Sequence, residues 1–258
     1  MDTQKWFRLD GKRALVAGAS RGIGQAIAEA LARAGAHTVL ASRNLEALER
    51  LAQKLRAEGC QAEALALDVA SRESRLRAAE AAGAVDILVN VAGINIRKPA
   101  ADYTPEEYAR IVETNLTGLF ELTQRVGPGM IERGRGKVIF IGSLTSVLGL
   151  PYVAVYASTK AALAGLTRAL AAEWGRHNIQ VNCIAPGFIL TDLNREMWQA
   201  AEMREWLKGT QPIARLGAVE DIAPLAVFLA GSGSDYITGQ VIAVDGGFST
   251  TSVWPFQP

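Results

Sequence analysis

Short apolar runs alternate along most of the chain with longer stretches in which apolar positions recur at helical spacing. Several of the short runs are apolar almost without interruption, which is typical of strands buried on both faces of a parallel sheet. The pattern therefore predicts strands at residues 13–17, 38–41, 64–67, 87–89, 138–141, 179–185 and 241–244.

Two of the intervening stretches carry clear helix signals. Apolar residues recur at helical spacing over residues 23–33, and Gly35 follows as a stop. Thr104 and Glu107 have the spacing of a capping box, and Pro105 lies at the first helical position. The alternation of strands and helices predicts an α/β fold with a single doubly wound parallel sheet (a Rossmann fold) and helices on both faces.

The chain shows one break in this alternation. No proline- or glycine-rich linker and no internal repeat divides it, so residues 1–258 are expected to form one domain. A long tract after the sixth strand contains Trp198, Met203 and Trp206. Because ligands bind beyond the carboxyl ends of strands in open α/β sheets, we expect a substrate lid at about residues 188–210. An ordinary helical hairpin on the surface is the alternative.

Composition excludes several classes of function. The net charge of +1 gives no electrostatic footprint for nucleic acid or an anionic membrane. No apolar run has the length of a membrane span, and residues 1–8 lack the apolar core of a signal peptide, so a cytoplasmic location is expected. Cys60 and Cys183 are interpreted as packing thiols in a reducing compartment. His37 and His177 lack metal-ligand spacing, so no metal site is expected.

A glycine-rich loop follows the first predicted strand and opens the first predicted helix. Glycines let the backbone turn tightly and approach a pyrophosphate, which then meets the free N–H groups at the helix N-terminus. The spacing is G-x-x-x-G-x-G, and the loop comprises Gly18, Ala19, Ser20, Arg21, Gly22, Ile23 and Gly24. Its position between strand and helix predicts a dinucleotide site.

The end of the second predicted strand bears on the choice of cofactor. Sites for NAD usually have an acidic residue there, which binds the ribose 2′-hydroxyl, and this chain has Ser42, Arg43 and Asn44 instead. Ser42 can donate a hydrogen bond, Arg43 can pair with a 2′-phosphate, and Arg21 adds a second cation. These residues favour NADP(H) over NAD(H). The alternative is that both arginines are solvated surface charges.

Tyr156 and Lys160 are the candidate proton-transfer residues. The ordinary pKa of tyrosine is about 10, and a lysine four residues on lies on the same helix face, where its charge favours the phenolate. Ser143 lies upstream and can hold a substrate oxygen beside the phenol. Such a set moves a proton on or off an alcohol or ketone oxygen. A Tyr–Lys pair at this spacing also occurs by chance on many helices.

The glycine loop, the Tyr-x-x-x-Lys pair and the upstream serine together resemble the short-chain dehydrogenase/reductase family over nearly the whole chain. Further segments match family segments in order: Asp68-Val69, Asn90-Val91-Ala92-Gly93, Asn115, Pro186-Gly187 with Ile189 and Thr191, and Val244-Asp245-Gly246-Gly247. The chain departs from the family at Ala17, where threonine is usual, and at Val91, which replaces a second asparagine. The segment between Asp68 and Asn90 is also shorter than usual, which predicts a truncated helix.

The resemblance implies a role for each catalytic candidate. Tyr156 would be the general acid in ketone reduction and the general base in alcohol oxidation. Lys160 would lower its pKa and bind the nicotinamide ribose, Ser143 would bind the substrate oxygen, and Asn115 would anchor a water linking Lys160 to solvent. The implied cofactor residues are Gly18, Ser20, Arg21, Gly22, Ile23, Gly24, Ser42, Arg43, Asp68, Val69, Asn90, Ala92, Gly93, Tyr156, Lys160, Pro186, Gly187, Ile189 and Thr191.

The substrate is less clearly indicated. Residues 178–217 are similar to gluconate 5-dehydrogenases and related sugar-acid reductases, whereas residues 185–188 and 236–242 equally resemble 3-oxoacyl-carrier-protein reductases. A sugar acid needs a cation near the lid, which Arg97, Lys98 or Arg195 can supply, although all three can equally be solvated charges. A sugar acid or polyol is therefore the first expectation. The alternatives are a 3-oxoacyl thioester or another ketone.

Two further expectations follow from the resemblance. A non-catalytic nucleotide-binding regulator is a remote alternative, because such proteins typically lose the tyrosine or the lysine and this chain keeps both. Helices around residues 104–130 and 153–176 carry apolar residues on more than one face, and the corresponding family helices pair between subunits. A homo-oligomer, either a tetramer or a dimer, is therefore expected, with a small-molecule ketone or alcohol as the other partner.

Overall fold

Parallel strands form one central sheet in the computed structural model, which describes residues 3–192 and 194–252. The sheet has seven strands in the order β3-β2-β1-β4-β5-β6-β7. The strands are β1 Arg13–Ala17, β2 His37–Ser42, β3 Ala62–Ala66, β4 Ile87–Asn90, β5 Gly136–Ile141, β6 Ile179–Pro186 and β7 Val241–Val244. Each predicted strand is present, and the largest differences are that β3 and β5 each begin two residues earlier than the apolar pattern indicates.

Helices cover both faces of this sheet. They are α1 Gly22–Arg33, α2 Leu45–Ala57, α3 Arg72–Ala82, α4 Pro105–Val112, α5 Gly118–Arg133, α6 Ala154–Trp174, α7 Ala201–Thr210 and α8 Ala223–Ala230. One core layer joins the sheet to α1, α2 and α8, and the other joins it to α3, α5 and α6. Successive strand residues alternate between the layers, as Leu15 and Val16 do, which explains the uninterrupted apolar runs. The predicted doubly wound fold is confirmed.

The direction of winding reverses between β1 and β4. These two strands are neighbours in register, with Ala17 beside Asn90 at their carboxyl ends. The segments that follow them leave in opposite directions across the sheet, and the gap between them is where ligands bind in open α/β sheets. The glycine loop after β1 and the segment after β4 therefore flank one crevice.

Local signals explain where two helices begin. The capping box at α4 is confirmed, because the Thr104 hydroxyl accepts a hydrogen bond from Glu107 N at 3.2 Å and Thr104 N donates to the Glu107 carboxylate at 3.0 Å. The α3 helix has 11 residues and begins after Ser71, whose side chain accepts from Ser74 N. Between α4 and α5, residues Glu113–Thr117 form a π-helical turn.

The tract predicted as a substrate lid leaves the carboxyl end of β6. It contains a short 3-10 turn, Met197–Gln199, and then α7; residue 193 lies outside the described residues. An isolated parallel bridge pairs Ile189, at the start of this tract, with Gly217, which lies beyond its end. The bridge holds the two flanks of the tract next to each other. In residues 3–192 and 194–252, no helix is long and apolar enough to span a membrane. The same residues contain no cluster of His, Cys, Asp and Glu suited to a metal ion.

Candidate active site

The predicted site residues meet at the carboxyl edge of the sheet. Gly18 follows β1, the segment ending in Gly93 follows β4, Ser143 follows β5 and Gly187 follows β6. Tyr156 and Lys160 project from the first turns of α6, which begins beyond this edge. Parallel strands bring their carboxyl ends together, so residues scattered over most of the sequence share one crevice.

The glycine loop is shaped by close backbone contacts. A Cβ atom on Gly24 would lie 2.1 Å from the Gly18 carbonyl oxygen, and one on Gly18 would lie 2.8 Å from Ala92 N. Gly18 and Gly22 have φ angles of 107° and 55°, which glycine adopts without strain. A Cβ on Gly22 would meet only the Thr191 side chain, at 3.6 Å. The loop thus fits a dinucleotide cradle, with its open side facing the segment after β6.

The N-terminus of α1 offers unfilled hydrogen-bond donors to that cradle. Arg21 is the N-cap residue, and its side chain makes no capping hydrogen bond. The first N–H groups of a helix lack partners within the helix and attract anions. The helix end is therefore available to a pyrophosphate.

Two free cations lie where a 2′-phosphate is predicted. Arg21 and Arg43 are both exposed, and neither guanidinium has an ionic or hydrogen-bond partner among residues 3–192 and 194–252. The Ser42 hydroxyl accepts from Asn44 N at 3.2 Å. Both charges are therefore available for a ligand at the end of the glycine loop and at the end of β2.

Asp68 and Asn90 are held from opposite sides of the crevice. The Asp68 carboxylate accepts from Ala70 N at 3.0 Å. The fully buried Asn90 side chain donates to the Thr123 hydroxyl at 2.9 Å, while its carbonyl oxygen has no partner among the described residues. Buried polar atoms are rarely unpaired, so this oxygen marks a place for a ligand or an ordered water.

Asn115 lies in the π-helical turn and is fully buried. Its amide donates to the Ile94 carbonyl at 2.9 Å, and its oxygen accepts from Ile94 N at 2.8 Å. A Cβ on Gly93 would lie 3.4 Å from the Asn115 oxygen and 3.5 Å from the Lys160 ammonium. Asn115 and Lys160 therefore approach the same backbone segment, as their implied roles require.

Lys160 is buried beneath the crevice. Its ammonium donates to the Ile141 carbonyl at 2.7 Å and lies 5.6 Å from the centroid of the Tyr156 ring. Burial lowers the pKa of Lys160 to about 8, and the nearby Cys183 thiol opposes that change. The charge of Lys160 is consequently easy to remove compared with that of an exposed lysine.

The pKa of Tyr156 changes in the direction opposite to the sequence expectation. Burial raises it above its ordinary value, and interactions with the Ser143 hydroxyl and the Arg97 charge lower it only in part. The expected lowering of this pKa by Lys160 is therefore wrong, because desolvation of the phenol outweighs the charges around it. Spacing along a helix places the lysine correctly but carries no information about desolvation of the phenol.

Ser143 is fixed by a short turn that follows β5. Its hydroxyl accepts from Thr145 N and its N–H donates to the Ser146 hydroxyl, both at 3.2 Å. The Ser146 hydroxyl in turn donates to the Lys160 carbonyl at 2.9 Å. The turn thereby ties the serine to the first turns of α6, which carry Tyr156.

Within the described residues, one of the three candidate substrate cations has no carboxylate partner and acts on Tyr156. Lys98 pairs with Glu107 at 2.7 Å, and Arg195 pairs with Asp192 at 3.0 Å. Arg97 has no carboxylate partner in residues 3–192 and 194–252, and its charge acts on Tyr156.

Arg97 also contacts the predicted lid. Its guanidinium lies 2.9 Å from the Met197 sulfur, in the 3-10 turn of that tract. A thioether is a weak acceptor, so this contact leaves the charge available to an anion.

Aromatic side chains form a cluster on the predicted lid. Phe188 makes edge-on contacts with Trp198 and Trp206 at 5.4 Å between ring centroids, and with Phe248 at 5.0 Å. Trp198 is buried, whereas Trp206 is 40% exposed. Phe248 was missed by sequence reasoning, because nothing in the sequence connects it with Phe188, which lies 60 positions earlier.

Tyr152 is a second residue that the sequence did not single out. It precedes Tyr156 by four positions, and its carbonyl accepts from Lys98 N at 3.0 Å. Its φ angle is 65°, in the left-handed region where a bulky residue is strained, and its side chain is 64% exposed. No sequence signal marks this conformation, since tyrosine is not a residue typical of it.

Comparison with known proteins agrees with this geometry. Residues 18–249 match a protein-family model described as Enoyl-(Acyl carrier protein) reductase. Gluconate 5-dehydrogenase of Gluconobacter oxydans (strain 621H) is 39% identical over 249 residues, covering 95% of this chain and 97% of that protein. The 3-oxoacyl-(acyl-carrier-protein) reductase of Pseudomonas aeruginosa is 43% identical over 243 residues, covering 93% and 98%.

A solved structure gives the same result in three dimensions. A gluconate 5-dehydrogenase from Burkholderia cenocepacia J2315, in complex with NADP and tartrate, has a TM-score of 0.92 and 41% identity, covering 96% of this chain and 99% of that one. The expected family resemblance is thus confirmed over nearly the whole length. The chain belongs to the short-chain dehydrogenase/reductase family and is an oxidoreductase that acts on CH–OH groups.

Proposed function

We propose that this protein is an NADP(H)-dependent oxidoreductase that interconverts a ketone and a secondary alcohol on a sugar acid or polyol. The observation that carries the substrate class is Arg97, a cation that has no carboxylate partner in the described part of the chain and whose charge acts on Tyr156. A carboxylate bound there places the rest of a short hydroxylated chain between Arg97 and the Tyr156–Ser143 pair. The relatives named as gluconate 5-dehydrogenases support this choice.

The cofactor proposal rests on the two ends of the crevice. The glycine cradle and the uncapped N-terminus of α1 suit a pyrophosphate, and Arg21 and Arg43 suit a 2′-phosphate. Ser42, Asp68 and Val69 would bind the adenosine end. Asn90, Ala92, Gly93, Pro186, Gly187, Ile189 and Thr191 would line the path toward the nicotinamide. When bound, the nicotinamide supplies or accepts the hydride.

The proton chemistry is assigned to Tyr156. Its raised pKa keeps the phenol protonated at neutral pH, which is the form required to protonate a ketone oxygen. Ser143 would donate a hydrogen bond to the same oxygen and stabilise charge that develops on it. Lys160 and Asn115, which meet at Gly93, would deliver the replacement proton from solvent through an ordered water.

The tract at residues 188–210 is proposed to close over the substrate. Its aromatic cluster supplies apolar surface near the crevice, and closure of such a surface excludes water from the reacting atoms. The Arg97–Met197 contact joins this tract to the segment after β4.

One observation favours a second candidate, reduction of a 3-oxoacyl thioester. Trp206 is 40% exposed and packs on Phe188, so the cluster presents apolar surface to solvent that an acyl chain can cover. The Pseudomonas aeruginosa relative bears the name of that activity.

We also propose that the protein forms a homo-oligomer, either a dimer or a tetramer. Tyr108 of α4 and Phe120 of α5 are large apolar side chains that are 55% and 39% exposed on neighbouring helices. A subunit contact would remove them from water. Light scattering on the purified protein tests this proposal, and a monomer at micromolar concentration contradicts it.

A substrate panel tests the proposed reaction. NADPH oxidation is followed with 5-ketogluconate, an acetoacetyl thioester, and simple cyclic and aryl ketones, and each is repeated with NADH. We expect the highest kcat/KM with 5-ketogluconate and NADPH. A higher kcat/KM with the acetoacetyl thioester selects the second candidate, and tight NADPH binding without turnover of any ketone contradicts both.

A further inference from the structure

Arg75, in the first turn of α3, is a buried cation outside the site described above. Its side chain is only 3% exposed. A buried charge is costly unless it is paired and hydrogen-bonded, so its presence calls for a structural or functional reason. The reason lies in the groups that its guanidinium contacts.

The Arg75 guanidinium joins three separate elements. One nitrogen, Nη1, donates to the Val69 carbonyl and to the Glu113 carboxylate, the latter at 2.8 Å. The other two nitrogens donate to the Glu121 carboxylate, at 3.1 Å from Nε and 2.7 Å from Nη2. Although burial lowers the pKa of Arg75, the bonds to Glu121 and Glu113 outweigh that effect and raise it. The guanidinium therefore stays charged and keeps its hydrogen bonds to both carboxylates.

The Val69 end of this network lies in the adenine segment, Asp68-Val69, which is proposed to bind the adenine end of the cofactor. Besides the bond from Arg75 to Val69, the adjacent Ser74 hydroxyl accepts from Asp68 N at 2.9 Å. The first turn of α3 thus binds both residues of the segment through their backbone atoms and makes no bond to the Asp68 carboxylate.

The Glu113 end reaches the π-helical turn that carries Asn115. Glu113 opens that turn, and its carbonyl accepts the bond from Gly118 N that closes it. Gly118 also packs directly on Val69, because a Cβ there would lie 2.1 Å from the Val69 carbonyl oxygen. The adenine segment and the turn are therefore in contact, and Arg75 bridges both at the point of contact.

We propose that Arg75 is a positioning residue that couples the adenine end of the cofactor site to the Asn115 proton relay. It fixes Val69 and Glu113 in one hydrogen-bond network, so that movement of the adenine segment displaces the turn that holds Asn115. The inference rests on the proposed function, since Asn115 and the adenine segment have their roles there. Nothing in the family motifs requires an arginine at this position.

Arg13 provides a matched control for Arg75. Its side chain is partly buried and, like that of Arg75, binds α3. The Arg13 Nε donates to the carbonyl of Ala82, the last residue of that helix, and the guanidinium pairs with Glu63. It opens β1, at the edge of the sheet opposite to the site. Arg13→Met and Arg75→Met therefore both loosen α3, but only the second acts on the relay.

The first experiment compares these variants by steady-state kinetics in H2O and D2O. For Arg75→Met we expect kcat to fall on the order of tenfold, because misplacing a catalytic group by about 1 Å costs up to 10²-fold. The KM for NADPH should rise, and the solvent isotope effect on kcat should increase as proton delivery becomes limiting. Arg13→Met should lower the melting temperature and leave all three kinetic quantities near the wild-type values.

The second experiment separates the two carboxylates and remains decisive if Arg75→Met does not fold. Glu113→Gln should lower kcat and raise the isotope effect, whereas Glu121→Gln should lower the melting temperature alone. Equal kinetics for Glu113→Gln and Glu121→Gln, or an Arg75→Met variant with wild-type kinetics, overturns the inference. Failure of the proposed function can be distinguished from failure of this inference, because the wild-type protein would then not turn over 5-ketogluconate with NADPH.

Discussion

The nucleotide half and the substrate half of the crevice are held together in different ways. In the nucleotide half the backbone itself makes the fit: a Cβ on Gly24 would come within 2.1 Å of Gly18 O, and Asn115 is locked by two bonds to the backbone of Ile94. At such positions the backbone contacts permit few residue types. Short sequence motifs can therefore identify this half of the crevice.

The substrate half is assembled from side chains that lie far apart in the sequence. Phe188 packs on Phe248, and Arg97 contacts Met197 across 100 positions. Such contacts depend on the packing of individual rings and on one exposed charge, and no short motif prescribes them. The difference teaches that short motifs in the nucleotide half are enough to indicate the reaction class, whereas the contacts of the substrate half leave no such motif from which to name the substrate.

The largest expected effect comes from removing the reacting proton donor. Tyr156→Phe should lower kcat for ketone reduction by about 10²–10⁴-fold, the usual contribution of a positioned acid, with nearly unchanged NADPH affinity. NADPH oxidation and fluorescence titration measure the two quantities. Tyr108→Phe, on the exposed face of α4, is the control and should retain turnover. Substantial residual turnover in Tyr156→Phe contradicts the assignment.

Replacing one glycine in each half tests the comparison directly, with Gly24 in the nucleotide half and Gly209 in α7 of the substrate half. Gly24→Ala should raise the Kd for NADPH roughly 10- to 100-fold, because overpacking at this contact costs about 1–3 kcal/mol. A methyl group added to Gly209, in α7, would have nothing within 4 Å, so Gly209→Ala should instead raise the free energy of unfolding by about 0.5–1 kcal/mol. Equal NADPH affinity in both variants would contradict the proposed cradle.

The preference for NADPH depends on the exposed charge of Arg43, and removing this charge should have a smaller effect than the substitutions above. Arg43→Ala should weaken NADPH binding by about tenfold, the value of one charge-assisted contact, and leave NADH binding unaffected. Arg50→Ala removes an exposed arginine that already pairs with Glu46 and serves as the control. Isothermal titration with both nucleotides measures the effect, and equal losses for NADPH and NADH argue against a 2′-phosphate site.

The lowered pKa of Lys160 predicts how stability depends on pH. With a folded pKa of about 8 and an ordinary value near 10.5, the unfolded chain binds more protons between these pH values. The stability of the wild type relative to Lys160→Met should therefore rise between pH 8 and 9, by about 1 kcal/mol per pH unit. Urea unfolding at each pH measures this difference. A fall in relative stability over the same range means that Lys160 is not desolvated.

The smallest effect concerns the strained residue at the cleft. Tyr152→Gly should raise the free energy of unfolding by about 1 kcal/mol, because glycine adopts the left-handed conformation freely. Asn178 also has a positive φ angle, 58°, but asparagine tolerates it, so Asn178→Gly should change stability less. Thermal unfolding of both variants provides the comparison, and a larger gain at Asn178 would show that Tyr152 is unstrained.

Much of the fold follows from the sequence because its signals are local. Uninterrupted apolar runs located the strands, and Thr104, Pro105 and Glu107 located the start of α4. At β3 and β5 the apolar pattern placed the start two residues late, because Glu63 and Lys137 lie near the beginnings of these strands and interrupt the apolar runs.

The properties that escaped prediction are those set by tertiary packing. The raised pKa of Tyr156 results from burial, which helical spacing cannot reveal. The Phe188–Phe248 contact and the Arg75 network join residues that only the folded chain brings together. The positive φ of Tyr152 is imposed by its surroundings and not by its residue type.

The most direct test of the central claim is the ratio of kcat/KM for 5-ketogluconate to that for an uncharged ketohexose, measured with NADPH. The wild type and Arg195→Ala, whose exposed arginine pairs with Asp192, should both favour the acid by about tenfold or more, the value of one charge-assisted contact. Arg97→Ala should bring the ratio close to one while keeping turnover of the neutral ketone. A wild-type ratio near one, or an unchanged ratio in Arg97→Ala, would contradict the proposal that a substrate carboxylate binds beside Tyr156.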